Sequence, residues 1–585
     1  MSLDYDSVET VKMECKFCGR ETDKINGICD YCEPFLCEVC RSRLSRGYCA
    51  VCGRLVCDDD SKLVGFARVC VECLQNDPRL NDYDYLQGII FNKATRIAYR
   101  TKQRFNEILE IGAPPRSEHI YVHIGLDDFD SPYGLCTTYA AAHILRMIKE
   151  TFEAELLDYP LLIRLNPNIP LKTRGNAGVA IRIIIEKDSF SDLLESILRQ
   201  VEDLSHAFFR KTQPALAIYA TEKYVIDSII NIVYEEALRS VITPKILLRK
   251  LRNLKMGHLL VFSPMSTIPR GIVGAVASIG AILDDYTFEL LAYRLERNIG
   301  GKRQIDEASV LKMNEKMFPL TFGNVDGQKI LIAPKGPDPV LLGIRGETPE
   351  AVFEAFRMIE HEEIEFWCMF RSNQATSAHI RSIRHVEDAH PYETIMINCE
   401  VISARREDDR VFLRAHANGG YVEGVAYRLQ RGLQSKILKL KPGDIIKLVI
   451  AVFSKTKDTI AGNIEEFIPI QLVPEIIKRN PRCPRCCARL KKKSKDMLYC
   501  KKCGLRIKGD FKITLRIPRH ELRIGKRYLA SPRAHRHLTM PNERIYFRSL
   551  KITGKVSAYL VDPVLAKEKN LPLKRIREIK EPKIL

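Results

Sequence analysis

The apolar positions change period several times along the chain, and those changes divide it. From residue 119 the pattern predicts a strand over 120–126, a helix over 137–149, strands over 159–165 and 178–185, a helix over 190–201 and a strand over 215–220. This β-α-β-β-α-β order is ferredoxin-like. Two helical stretches follow, around 225–238 and 243–254, and then a second mixed α/β unit runs from 258 to 370. Its strands fall near 258–262, 286–293, 329–333 and 340–344, and a helix over 349–360 is capped by Thr348 with Pro349 at its first position. From about residue 394 only strands are predicted, over 395–403, 411–415, 421–428, 444–453 and 459–470. Five strands joined by glycine-containing turns fit an OB-type barrel, a platform that often binds oligonucleotides. Between 80 and 113 apolar residues recur at helix-like intervals until Pro114-Pro115, which predicts a helical linker.

The chain has 585 residues, so several domains are expected. No apolar run approaches the roughly 18 residues of a membrane span. The N-terminus starts acidic, without a basic and then apolar leader, so a cytoplasmic protein with reduced thiols is expected. The 92 Lys and Arg exceed the 73 Asp and Glu by 19, but this excess is local. Residues 481–585 alone carry 30 basic and 8 acidic side chains. Residues 1–80 carry 11 and 14, and the middle of the chain sums to zero. A polyanion partner is therefore expected for the C-terminal region only.

Fifteen of the 19 cysteines form two clusters. In the first, Cys15-x2-Cys18 and Cys29-x2-Cys32 make one pair of knuckles, followed by Cys37-x2-Cys40, Cys49-x2-Cys52, Cys57 and Cys70-x2-Cys73. Each CxxC turn offers two thiolates to one tetrahedral zinc. Cross-bracing would close one site with Cys49, Cys52, Cys70 and Cys73. Cys37, Cys40 and Cys57 are then one ligand short; Asp60, at CxxD spacing from Cys57, could complete the set, Asp58 or Asp59 could serve equally, or the site could stay empty. The second cluster, Cys483-x2-Cys486 with Cys500-x2-Cys503, has zinc-ribbon spacing. Four-ligand sites without an open position are structural. The acidic fingers suggest docking of a protein partner, and the ribbon at the head of the basic region suggests a nucleic-acid grip. Cys136, Cys368, Cys399 and Cys487 lie outside the pairing and are expected to be packed thiols.

The densest chemistry lies in GLDDFDSPYGLCTTY, residues 125–139. A strand ends in Asp127, Asp128 and Asp130, and after Gly134 a helix begins with Thr137 and Thr138. Clustered carboxylates suit magnesium, and a helix start suits phosphate, which together equip a site for phosphoryl transfer. An acidic turn before an ordinary helix cap would look the same. KTRGNAG, 172–178, brings Lys172, Arg174, Gly175 and Asn176 into a loop that could approach a triphosphate or simply turn a hairpin. PRGIVGAVASIGA, 269–281, places Gly271, Gly274 and Gly280 in a predicted helix, which implies close packing or close ligand approach. Asp284, Asp285 and Glu289 follow as carboxylates for a cationic ligand.

These segments, with NPNIPLKTRGNAG, KGPDPVLLGIRGE and FRSNQATSAH, occur in the order seen in tRNA(Ile) 2-agmatinylcytidine synthetase, an archaeal family that this chain resembles over about residues 119–530. The resemblance implies a multidomain α/β plus all-β protein. Its expected parts are a zinc-finger module (1–80), a helical linker (81–118), a kinase-like ATP and magnesium domain (119–256), a ferredoxin-like domain (257–380), an OB-fold (390–475), and a zinc ribbon with a basic tRNA-binding tail (481–585). It further implies ATP-dependent attachment of agmatine to the wobble cytidine of the CAU-anticodon isoleucine tRNA. The 2-carbonyl oxygen would be phosphorylated, agmatine would displace it, and ATP would end as AMP. Carried over by position, Asp127, Asp128 and Asp130 handle magnesium and phosphate, and Thr137 matches a threonine tied to phosphoryl transfer and autophosphorylation. Lys172 and Arg174 steady charge, and Ser131, Gly134, Thr138, Gly175 and Asn176 surround the nucleotide. Gly271, Gly274, Asp285 and Glu289 are the expected agmatine side. Phe129 stands where the family usually has threonine. The fingers lie outside the family's usual core, and Lys491 to Lys493 with Arg533 are expected tRNA phosphate contacts. A noncatalytic zinc-containing tRNA-binding scaffold is the alternative reading.

Overall fold

The computed structural model describes residues 13–585 except 66, 96–103, 132–133, 173–174, 206–211, 337, 495, 510–511, 553–558, 562–574 and 580. Its centre is one mixed sheet. In chain order its main strands are β1 (Asn106–Gly112), β2 (His119–Asp127), β3 (Leu161–Arg164), β4 (Ala177–Glu186), β5 (Ala215–Thr221), β6 (His258–Ser263), β7 (Thr287–Arg294), β8 (Thr321–Phe322), β9 (Val340–Gly346) and β10 (Ile364–Ser372). They lie side by side as β8-β9-β7-β10-β3-β4-β2-β5-β6-β1, with the short strand Glu155–Leu156 added beside β4. All of these neighbours run antiparallel except β3 and β10, where Leu161 and Leu162 pair with Arg371 and Ser372 and join the two halves.

Both faces of the first half are covered, which explains why its strands read as nearly continuous apolar runs. Helices α1 (Thr137–Thr151) and α2 (Phe190–Asp203) pack on Ile120, Val122, Ile124 and Leu126 of β2. Helices α3 (Ser228–Arg239) and α4 (Gly271–Ile279) share a core with Ala215, Ala217 and Tyr219 of β5 and Leu259 and Val261 of β6. Helix α4 crosses the sheet at backbone distance: a Cβ on Gly125 would lie 2.1 Å from the Ala275 carbonyl oxygen. Helices α5 (Glu307–Met317) and α6 (Pro349–Arg357) cover the second half.

Several sequence expectations need correction. Among the described residues of 81–118, Tyr83–Thr95 is helical, but Asn106–Gly112 is β1, an edge strand paired with β6. The Ile108-Leu109 run is too short for its period to distinguish helix from strand, and Glu107 and Glu110 give it the charged character of a sheet edge. The boundary expected at 256/257 lies just before β6, which pairs with β5 on one side and β1 on the other. Strand β10 and helix α5 were not anticipated, and the strand expected over 329–333 is only Lys329–Ile330.

Beyond the sheet, strands β11 (Thr394–Glu407), β12 (Arg410–Ala417), β13 (Gly420–Ala426), β14 (Ile445–Lys455) and β15 (Thr459–Gln471) close a barrel. The ring runs β11-β12-β13-β15-β14 and returns to β11, with β13 and β15 parallel.

The C-terminal region is woven into the body instead of trailing from it. Arg519 bonds Asp444 at 2.6 Å, Arg536 bonds Glu465 at 2.8 Å, and Arg533 pairs with Asp326 at 3.1 Å. The guanidinium of Arg544 is wholly buried, donating to Asp285 at 2.6 and 2.9 Å and to the Ala375 and Tyr286 carbonyls, with Glu347 at 2.8 Å. Part of the basic excess thus balances buried acids. Replacing Arg544 with Met removes the buried guanidinium that faces Asp285 and Glu347, with the exposed Arg548 still 3.7 Å from Asp285. We expect a loss of about 3–5 kcal/mol in the stability of the sheet unit, measured as an earlier first transition in urea.

Candidate active site

Strand β2 ends between two cavities, of about 440 and 260 Å³, that share Asp130 and Ala177 in their walls. The larger is lined by Asp127, Asp128, Lys172, Asn176, Arg270, Gly271 and Gly274. The smaller contains Cys136, Thr137 and Thr138 at the start of α1, together with Gly175, Arg164 and Glu289. The acidic motif and the described part of the 172–178 loop therefore meet, as their separate readings require.

Local backbone geometry aims these groups. Asp128 has φ +60° and Asn176 φ +47°, left-handed conformations that cost about 1–3 kcal/mol for a non-glycine and that cluster at functional sites. Asp127 Oδ1 accepts the Asp128 amide at 2.7 Å, while Asp128 Oδ2 accepts from the Gln213 amide at 3.1 Å and from Arg270 Nη2 at 3.3 Å. Burial pushes the Asp127 carboxyl well above the usual range, and the neighbouring Asp128 charge adds to that rise. Gly274 permits this arrangement: a Cβ there would lie 1.9 Å from Asp127 Oδ2. The glycines of α4 thus serve close packing and also form the wall of the acidic cavity.

Thr137 opens α1 almost fully buried, and its hydroxyl accepts the Phe129 amide at 3.3 Å. Phe129 is buried against Phe105, ring centroids 6.0 Å apart, so this position plugs the core. Ser131 and Gly134 shape the turn into α1: the Ser131 amide bonds the Leu135 carbonyl at 3.2 Å, and Gly134 has φ +104°. Lys172 donates to the Pro167 carbonyl, and burial, reinforced by Arg536, lowers its pKa to about 7. Arg174 lies outside the described residues.

The expected agmatine group separates. Glu289 faces the smaller cavity, bonded by Arg345 at 3.1 Å and by Gln374. Gly271 and Gly274 line the larger one. Asp285 lines neither cavity and is consumed by Arg544.

Among the described residues, four sets of donor atoms converge within 4.8 Å: Cys15, Cys18, Cys29 and Cys32; Cys37, Cys40, Cys57 and Asp60; Cys49, Cys52, Cys70 and Cys73; Cys483, Cys486, Cys500 and Cys503. Sulfur separations such as 3.9 Å for Cys40–Cys57 and 3.7 Å for Cys52–Cys70 are far beyond a disulfide's ~2.05 Å. They approach the ~3.8 Å edge of a tetrahedron with 2.3 Å zinc–sulfur bonds. Asp60 Oδ2 lies 3.1 and 3.0 Å from Cys37 and Cys57, filling the fourth corner. Cys136, Cys368 and Cys399 are buried thiols, whereas Cys487 is exposed, carried outward by its φ of +58° just after a CxxC turn.

Comparison with known proteins places the chain in a family. The TiaS TCKD domain model matches residues 123–187 and the TiaS FLD domain model matches 269–379. TiaS of Pyrococcus horikoshii, a 2-agmatinylcytidine synthetase of isoleucine tRNA, is 36% identical over 431 residues, 72% of this chain and 96% of its own length. That of Methanopyrus kandleri is 35% identical, over 72% and 96%. The chain belongs to the TiaS family. A solved structure of apo TiaS, the agmatidine synthetase of isoleucine tRNA, superposes with a TM-score of 0.62 at 30% identity, covering 73% of this chain and 98% of that one. A complex of TiaS with isoleucine tRNA, AMPCPP and agmatine gives 0.59 at 27%, with the same coverages.

Within this TiaS-family framework, sequence reasoning passed over Arg270, Gln213, Arg345 and His537. Arg270 adjoins Gly271 in a motif already singled out, so it was within reach. Gln213 and His537 enter from remote segments with no local signature. His537 lines the smaller cavity and lies 3.1 Å from Arg345, and Arg164 holds its imidazolium form well below the usual pH range.

Two outcomes follow. Gly274→Ala must displace Asp127 or α4, and we expect at least a tenfold fall in turnover with little change in tRNA affinity, measured by steady-state kinetics and filter binding. Lys172 is protonated below about pH 7 and neutral above it. ATP affinity should therefore weaken as pH rises from 6 to 8, and Lys172→Met should flatten that dependence in calorimetric titrations. Because the native pKa lies below that of an unfolded lysine, this group adds stability as pH rises between about 7 and ~10.4, an increment that Lys172→Met also removes.

Proposed function

We propose that this chain joins agmatine to the 2-position of the wobble cytidine of CAU-anticodon isoleucine tRNA at the expense of ATP. The observation that carries the reading is the meeting of the acidic motif, Thr137 and the Lys172 loop at two cavities sharing Asp130. Solved TiaS relatives hold isoleucine tRNA with ATP, and the same tRNA with AMPCPP and agmatine. The tRNA, ATP and agmatine are read onto this chain as its own substrates, with AMPCPP standing in for ATP.

Chemically, the terminal phosphoryl group passes from ATP to the 2-carbonyl oxygen of cytosine, turning a poor leaving group into a good one, and water takes the next phosphoryl from the resulting ADP, so that the nucleotide leaves as AMP. The primary amine of agmatine adds at C2, phosphate departs with that oxygen, and the amine gives up a proton. Asp127, Asp128 and Asp130 would hold magnesium, which binds through one or two carboxylates together with substrate phosphates and would neutralise their charge. The raised Asp127 pKa suits a position next to such a cation, which would draw the carboxylate back to its ionised form. Lys172, Arg174 and Arg270 steady the triphosphate, with Ser131, Gly134, Thr138, Gly175 and Asn176 shaping its surroundings. The α1 amino end beside Thr137 favours phosphate. Glu289 is the carboxylate we assign to agmatine, and Asp285 is withdrawn from that role.

The first-half order β3-β4-β2-β5 supports a ferredoxin-like reading of residues 119–221, and the β11–β15 ring supports an OB-fold at 390–475. We read 119–256 as the kinase-like unit and 257–380 as the second ferredoxin-like unit, with β6 shared through the sheet. Zinc in the four thiolate-rich sets would be structural. The exposed strand Lys491–Ser494 of the ribbon offers Lys491 to Lys493 to tRNA phosphates, while Arg533 is engaged by Asp326. No helix among the described residues is long and apolar enough to cross a membrane, which fits work on tRNA in the cytoplasm.

AMP release should require tRNA and agmatine together, and Asp128→Asn should lower it by about 100-fold, since it removes charge from the phosphate-handling centre. Equal AMP release by the Asn variant would remove Asp128 from phosphate handling, and none by the wild type would favour a noncatalytic scaffold.

A further inference from the structure

The N-terminal fingers lie within the active-site wall. Asp30, Glu33, Pro34 and Phe35 line the cavity that contains Asp127 and Asp128. The module is wedged between the sheet and the barrel. Lys245 and Arg249 each bond Asp30 at 3.1 Å, and Phe35 is buried with Val241 and Tyr392. On the barrel side, Arg46 lies over Phe453 at 4.0 Å, and the Tyr392 hydroxyl donates to the Ser45 carbonyl at 2.8 Å.

One side chain of this module reaches the acids through a single intermediary. Tyr48 immediately precedes Cys49, in a short strand paired with Leu55–Val56, so its ring is fixed by the Cys49, Cys52, Cys70 and Cys73 set. Its hydroxyl donates to the Leu171 carbonyl at 2.8 Å and accepts from Arg270 Nη1, whose Nη2 reaches Asp128 Oδ2 at 3.3 Å. A phenol has one proton to donate and lone pairs to accept with, so it can satisfy both partners at once. Leu171 precedes Lys172, and Arg270 precedes α4. One hydroxyl therefore pins two opposite walls of the cavity.

We propose that Tyr48 is a positioning residue for the reaction: the finger module fastens Arg270 and the Lys172 segment into the geometry that presents Asp128 to ATP. This rests on the TiaS-type reading of the site and goes beyond it, because it gives the N-terminal fingers an intramolecular role in catalysis. Tyr48→Phe keeps the ring and its packing and removes only the staple.

The test uses the full chain with ATP, agmatine and tRNA. A hydrogen bond to a charged group contributes about 1.5–3 kcal/mol, so Tyr48→Phe should lower kcat about 10- to 100-fold. KM for tRNA and bound zinc, measured by elemental analysis, should be unchanged. Arg270→Lys should cause a similar loss, and the double variant should be no worse than Arg270→Lys alone, because both break one chain of contacts. Tyr85→Phe, whose hydroxyl reaches back from the helix after the module to Asp77 at 3.0 Å, should behave as wild type. Wild-type kcat in Tyr48→Phe, or losses that multiply in the double variant, would overturn the proposal. If the wild type makes no modified tRNA, the functional reading fails separately, and hydrogen exchange decides the staple. Faster exchange at Leu171 and Gly271 in Tyr48→Phe supports it, and unchanged exchange overturns it.

Discussion

Three carboxylates within four residues repel one another, and removing one of them from water makes the repulsion stronger. Much of this structure answers that constraint. The end of β2 holds Asp127 at backbone range of α4, an approach that only a glycine at 274 allows, and turns Asp128 away through a left-handed residue. Arg270 and the Gln213 amide meet Asp128. On the proposed reading, the remaining deficit of positive charge is what a magnesium ion brought with the triphosphate would supply, so the repulsion in the free site would become affinity for that cation.

The same economy runs through the tail. A region with 30 basic residues looks, as a sequence, like a nucleic-acid surface. In the folded chain Arg519, Arg536 and Arg544 are paired with buried acids from the barrel and the sheet. Those contacts tie the tail to the two halves of the molecule and bring His537 to the smaller cavity. Other basic residues, Lys491 to Lys493 of the ribbon among them, stay exposed. The fingers act likewise from the other end of the chain, since Phe35 and Tyr48 contact segments more than a hundred residues away.

How much of this was readable depended on the range of the interaction. The β-α-β-β-α-β run, the barrel strands and the cysteine pairs follow from local periodicity and spacing, and Asp60 was legible as a fourth donor because it repeats the CxxC interval from Cys57. The acids and the Lys172 loop could be linked by chemistry alone. What failed was long-range. β1 looked helical because its few apolar residues carry no clear period, and its pairing with β6 decides the matter. Asp285 looked like a ligand carboxylate until Arg544, 259 residues on, occupied it. Cys487 seemed a core thiol from its type, but the turn it occupies faces solvent.

That these dispersed elements form one agmatine-transferring site is tested most directly by mass spectrometry of nucleosides from unmodified CAU-anticodon isoleucine tRNA incubated with the protein, ATP and agmatine. We expect one cytidine, at the wobble position, heavier by agmatine less one water. Unaltered cytidine, or a stable phosphate on the RNA without any need for agmatine, would contradict it.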